Sequence, residues 1–160
     1  GWCMDKNLAP MANSDMHGIV MQQYDTLGGQ RPMTLVFAQE RTLDSLREAM
    51  FAHRTVAWFG ENLAGKSDFL DAIFHASVST TAPFFTDKKG NRSVTLTNTS
   101  DIVILINGAG DDWKGSVRLP ARSSDIIKIK GEPRSVAVNV TNFHTGLNQT
   151  LTTNLDIPAK

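Results

Sequence analysis

After about Ala76 the chain has no helical period left. Ser93 to Thr97 alternate, with Val94 and Leu96 on one side. Val117 and Leu119, then Ile127 and Ile129, then Val136, Val138 and Val140 keep the same two-residue spacing, and Leu151 to Ile157 closes the series. A two-residue period places alternate side chains on opposite faces of a strand, one face for a core and one for water. Ile102 to Ile106 is instead apolar throughout, the pattern of a central strand buried on both faces. Asn107-Gly-Ala-Gly-Asp-Asp112 supplies a turn, rich in residues that accept turn geometry.

About seven short strands, with turn signals every ten or so residues, predict an immunoglobulin-like β-sandwich for this part. Only the architecture is predicted. The paired cysteines and tryptophan of antibody domains are missing, because the chain has a single cysteine, Cys3.

The first half reads differently. Trp2 to Asn7 is the end of a helix, Leu8 to Ala12 a short buried strand that stops at Asn13-Ser-Asp15, and Gly18 to Pro32 a long loop containing Gly28-Gly29. Met33 to Ala38 is the next strand. Thr42 is placed to cap a helix with apolar positions at Leu43, Leu46 and Met50, and His53 and Arg54 put positive charge at its C-terminus. Thr55 to Phe59 is a third strand, and Ser67 caps a second helix whose apolar face is Phe69, Leu70, Ile73 and Phe74. Strands alternating with helices predict a parallel α/β element. The fold class expected for the whole is therefore α+β, a truncated α/β segment followed by an all-β sandwich. Opening abruptly inside a helix-like stretch, the chain is expected to be the tail of something longer.

Sixteen basic and sixteen acidic residues cancel, and no Lys/Arg cluster stands out, so nucleic acid is not an expected partner. No run of about 18 apolar residues exists, so no membrane span is expected either. One cysteine excludes an internal disulfide and any cysteine-based zinc site.

The first chemical candidate is Asp15 and His17, one residue apart as the chain leaves the Leu8–Ala12 strand. A carboxylate supplies charge and a neutral imidazole supplies nitrogen, a pair suited to zinc, iron or manganese. Gly60-Glu-Asn-Leu-Ala-Gly-Lys-Ser67 satisfies the P-loop pattern literally, between an apolar strand and a helix. Against it, Glu61 brings negative charge to a phosphate nest, and Asn62 and Leu63 are bulky where backbone amides must approach. Four N-x-[ST] triplets begin at Asn91, Asn98, Asn139 and Asn148; an Asn/Ser/Thr-rich β domain produces such triplets freely. His75 and His144 have no partner at ligand spacing and read as a helix-end and a turn imidazole.

Asn13-Ser-Asp-Met-His-Gly18, Gln30-Arg-Pro-Met-Thr-Leu-Val-Phe-Ala38 and the stretch from Glu40-Arg-Thr-Leu-Asp to His53-Arg-Thr-Val-Ala57 together resemble a known family. They look like the last segment of a bacterial polymerase-and-histidinol-phosphatase (PHP) domain, in the subgroup of phosphodiesterase-like proteins that end in a β-sandwich. The resemblance implies a distorted α/β barrel whose end is residues 2–76, with an immunoglobulin-like accessory domain at 77–160. It implies that Asp15 and His17 are metal ligands, for zinc, manganese or iron, and that the parent protein hydrolyses phosphate mono- or diesters. Arg31, near the end of the long loop, is the candidate for a phosphate oxygen. The family's earlier motifs, beginning with a His-x-His pair, are missing. No catalytic set is complete, the chain by itself is expected to be inactive and to hold no metal firmly, and its partner is the upstream part of the domain. Uncovered strand edges make a homo-oligomer a further expectation. Relatives in this subgroup look exported, so a periplasmic or secreted location is expected, with the cytoplasm as the alternative. The rival function is a non-catalytic β-sandwich module that binds glycan, a protein partner or a second subunit.

Overall fold

The structure is a computed structural model that describes residues 6–15, 17–18 and 31–159. Most of the helix end at Trp2–Asn7 and of the loop at Gly18–Pro32 lies outside the described residues. Among those described the fold is mostly β, with two helices, and it divides into two compact units. The first comprises 1–70 with 143–149, and the second 71–142 with 150–160.

In the first unit, β1 (Met33–Val36) lies antiparallel to β2 (Thr55–Phe59), with Leu35 opposite Val56. Helix α1 (Leu43–Phe51) connects them. Thr42 caps it as expected, its hydroxyl accepting from Ser45 N–H at 3.2 Å. The helix ends where His53 takes a left-handed φ of 57°. His53 N–H then bonds Met50 O and Arg54 N–H bonds Ala49 O, which satisfies two carbonyls the helix would leave unpaired. The apolar positions read at Leu43 and Leu46 stay exposed. Ala49 is the buried residue of α1, whereas Leu43 is 69% exposed and Phe51 79%.

Strand β2 turns directly into β3 (Asn62–Gly65), with Phe59 opposite Asn62, so Gly60-Glu61 is a two-residue hairpin turn. Gly60 alone of the two has positive φ (54°), the arrangement in which glycine is required at the first turn position. The last part of β10 (Ser135–Gly146) then pairs with β3 in parallel, Phe143 opposite Leu63 and His144 opposite Ala64. The parallel α/β element expected from the alternation of strands and helices is thus corrected: β1, β2 and β3 form an antiparallel run, and only the β3–β10 pairing is parallel. Leu8–Ala12 is not a strand. It is held at β1 by Thr34, whose Oγ1 accepts from Ala12 N–H at 3.0 Å and donates to Ala12 O at 3.1 Å. Helix α2 (Ser67–Ser77) begins at Ser67 itself, with Lys66 O accepting from Leu70 N–H, and the boundary between units falls after Leu70.

The second unit contains two sheets. In one, β6 (Asn91–Asn98) is flanked by β4 (Val78–Thr80), β5 (Phe85–Thr86) and β9 (Ser124–Lys130), each antiparallel to it. In the other, β7 (Ile104–Gly108) lies between β8 (Ser116–Leu119) and the first part of β10, and β11 (Gln149–Asp156) pairs with β10. The alternation read from the sequence is realised. Val94, Leu96, Ile129, Leu119, Val136, Val138 and Val140 are fully buried. In the run expected to be buried on both faces, Ile104 and Ile106 are fully buried but Val103 and Leu105 between them only half-buried, so β7 too has one inner face. Asn98 is buried too. Its Nδ2 donates to Ile102 O at 2.7 Å and Pro120 O at 2.9 Å, and its Oδ1 accepts from Ser100 N–H at 3.0 Å. An amide spent in this way is a corner post of the sandwich rather than a glycan acceptor.

Candidate functional site

Ala12 is pinned to β1, and three residues on Asp15 adopts a left-handed φ of 45°. Asparagine and aspartate tolerate that conformation better than other side chains. His17 Nε2 then lies 3.4 Å from Asp15 Oδ1, with both side chains almost wholly in solvent. The two expected ligands are therefore brought together, and one oxygen and one nitrogen donor at this separation fit a divalent ion as part of its ligand set. They are not a complete set: among the described residues no group of three or more His, Cys, Asp or Glu is positioned to hold a metal. Arg31 is exposed, two residues before β1.

The P-loop-like segment is a hairpin. Residues Asn62–Gly65 form β3, so their backbone groups serve strand pairing instead of lining a nest. Gly65 is there for space: a Cβ on it would sit 2.6 Å from Val56 Cγ2 on the opposing strand. Both glycines of the pattern are accounted for by turn and packing.

The two histidines have partners that sequence spacing did not reveal. His75 is in the last turn of α2, with Asp71 Oδ1 at 3.5 Å and Thr153 Oγ1 at 3.3 Å; Thr153 also donates to Asp71 at 2.5 Å. His144 is on β10 rather than in a turn, its Nε2 3.0 Å from Asn62 Oδ1. Arg54, expected only to complement the end of α1, does more. Its guanidinium grips both carboxylate oxygens of Glu48, and its Nε donates to Phe37 O at 3.1 Å. The hydrogen bonds from Arg54 hold the Glu48 carboxyl below its ordinary pKa. Asp87 is lowered likewise by the side chain and then the backbone of Asn91, and Asp101 by Arg122.

One polar feature was not singled out from the sequence. Arg92 stands at the alternation position of Val94 and Leu96, on the inward side of β6, and lines a cleft of about 350 Å³ at one end of the second unit. The signal was available: an arginine two residues before the first buried valine of a strand, in register with the core.

Residues 78–156 match a family model described as an Ig-like domain. That stretch is an Ig-like domain. A solved structure extends the likeness over both units. It is a two-domain protein from Bacteroides vulgatus ATCC 8482, described as containing a predicted PHP-like metal-dependent phosphoesterase. The two are 28% identical with a TM-score of 0.83, and the match covers 98% of this chain and 48% of that one. The chain thus spans about half the length of that relative, with the Ig-like domain in its second part. No curated protein matches the chain. Among the described residues no helix is long and apolar enough to cross a membrane.

Proposed function

We propose that residues 2–76 are the closing part of a PHP-type phosphoesterase domain and residues 77–160 its Ig-like accessory domain. The whole protein would hydrolyse phosphate mono- or diesters with the help of divalent metal, outside the cytoplasm. The observation that carries this reading is the 28% identity, over 98% of the chain, to the two-domain Bacteroides protein. The exposed face of α1 supports it. Leu43, Leu46, Met50 and Phe51, with Met11, surround an apolar cleft of about 370 Å³ that nothing among the described residues covers. An α/β domain normally buries such a helix stripe against its other elements.

Asp15 and His17 would supply two ligands, the carboxylate bringing negative charge and the imidazole a neutral nitrogen. A bound divalent ion of this class activates water as hydroxide and offsets charge on phosphoryl oxygens. Arg31 would pair with a phosphate oxygen, for which a planar guanidinium is well suited. The remaining ligands belong to the upstream part of the domain, so these residues hold and orient but do not complete a centre.

The chain alone, given manganese or zinc, is expected not to hydrolyse aryl phosphate mono- or diesters. Metal-dependent turnover that disappears in Asp15→Asn would show that the centre is complete here. A protein carrying this chain behind a segment with the His-x-His pair tests the phosphoesterase reading itself. There Asp15→Asn and His17→Ala should each cost more than the about 10–100-fold typical of outer-shell partners. Unchanged turnover in both would refute the assignment.

A further inference from the structure

Arg92 is only 14% exposed at its side chain, and among the described residues its charged partner is Glu132, at 3.3 Å and itself 87% exposed. A guanidinium offers five N–H donors, and a single carboxylate such as that of Glu132 engages only some of them. Its position explains how it comes to be there. Val94, Leu96 and Asn98 fill the inward side of β6, and Arg92 is the next residue on that side, where the sandwich core gives out. Across the sheet it faces Thr86 on β5 and Ile129 on β9. The cleft it lines is closed by Pro83, Pro133 and Ile157, with Arg134 at the rim. Ile157 N–H bonds Arg134 O at 2.8 Å, which fixes the backbone of that rim. The guanidinium of Arg134 has no acidic partner among the described residues.

We propose that this cleft of the Ig-like domain binds a carboxylate-bearing sugar of the uronic acid type. The inference rests on the second unit alone and is independent of the phosphoesterase reading. Three features select the ligand. Arg92 and Arg134 against Glu132 leave one net positive charge among the described lining residues, which favours a monoanion over a phosphate dianion. A carboxylate matches the fork of a guanidinium with two parallel hydrogen bonds. The proline and isoleucine walls accept a C–H surface rather than a second charge, and a volume near 350 Å³ is that of a small-ligand site.

The test is an amide-shift titration of the full chain with glucuronate, with glucose and N-acetylglycine as comparisons. Glucuronate should give saturable shifts at Thr86, Arg92, Arg134 and Ile157, and glucose none. Arg134→Gln is at the rim and leaves the core intact, so it separates binding from folding. It should weaken glucuronate by about tenfold or more, the loss expected for a hydrogen bond to a charged group. Arg92→Gln should do the same if its amide spectrum stays native. No saturable shift with glucuronate, or shifts unaltered in Arg134→Gln, would overturn the proposal. N-acetylglycine binding as tightly as glucuronate would also overturn it, because the ligand would then be a peptide carboxylate.

Discussion

Thr55 opens β2 with 0% exposure, and its hydroxyl oxygen is the one buried side-chain polar atom among the described residues with no hydrogen-bond partner. Its backbone is served by β1, where it lies opposite Val36, so the defect is confined to the side chain. A buried hydroxyl left without a bond costs about 1–3 kcal/mol. Thr55→Val replaces that hydroxyl with a methyl group on the same branched frame and removes the cost. Slight overfilling of a close-packed site offsets part of the gain, so the lower end applies, about 1 kcal/mol of stabilisation. Thr55→Ser keeps the hydroxyl and deletes the methyl, and should lose about 1 kcal/mol. The two variants therefore differ in sign. Since a chain with two compact units need not melt in one step, the readout should be local. Native-state hydrogen exchange at Val56 and Ala57, both buried on β2, reports opening of that strand. A gain of about 1 kcal/mol slows exchange about fivefold. Exchange that is unchanged or faster in Thr55→Val would mean that the hydroxyl has a partner and that the reasoning fails.

Glycine at the left-handed residue after α1 should help: His53→Gly is expected to stabilise the first unit by about 1 kcal/mol in urea unfolding, because φ of 57° strains any side chain but not glycine. Gly65→Ala should cost about 1–3 kcal/mol through the collision with Val56, and magnesium ATP should leave the unfolding of the wild-type chain unmoved. An ATP-dependent stabilisation that Lys66→Ala abolishes would contradict the hairpin. Glu48, Asp87 and Asp101 are all held below their ordinary pKa, so their contributions are complete above the ordinary carboxylate range and are lost as pH falls through their lowered values. The thermal midpoint should drop over that window, and less steeply in Asp87→Asn. The exposed stripe of α1 should make the chain by itself self-associate, so light scattering should give a mass that rises with concentration and falls in Leu43→Gln/Phe51→Gln.

Strand alternation placed β6, β8, β9, β10 and β11 in the sequence because burial on one face imprints a two-residue period wherever the strand ends up. Thr42 as a cap was legible for the same reason: a side chain that bonds the backbone three residues on is a local event. The Asp15–His17 pair was visible as a spacing, and the structure sets the two side by side. Strands β4 and β5, of three and two residues, are too short to carry a period, and β3 was hidden by a glycine pattern that admits both a loop and a hairpin. What tertiary structure alone decided is partnership. Nothing near Leu63 says that Phe143 will lie beside it, eighty residues on, nor does the stripe on α1 say whether anything in the chain will cover it. Arg92 shows the division most clearly. Its place in the alternation assigns it a face, but only the packed sandwich shows that the core ends there and leaves a charged group at the mouth of a cleft. Periodicity is written residue by residue, whereas pairing depends on contacts between segments distant in the chain, which no local pattern encodes.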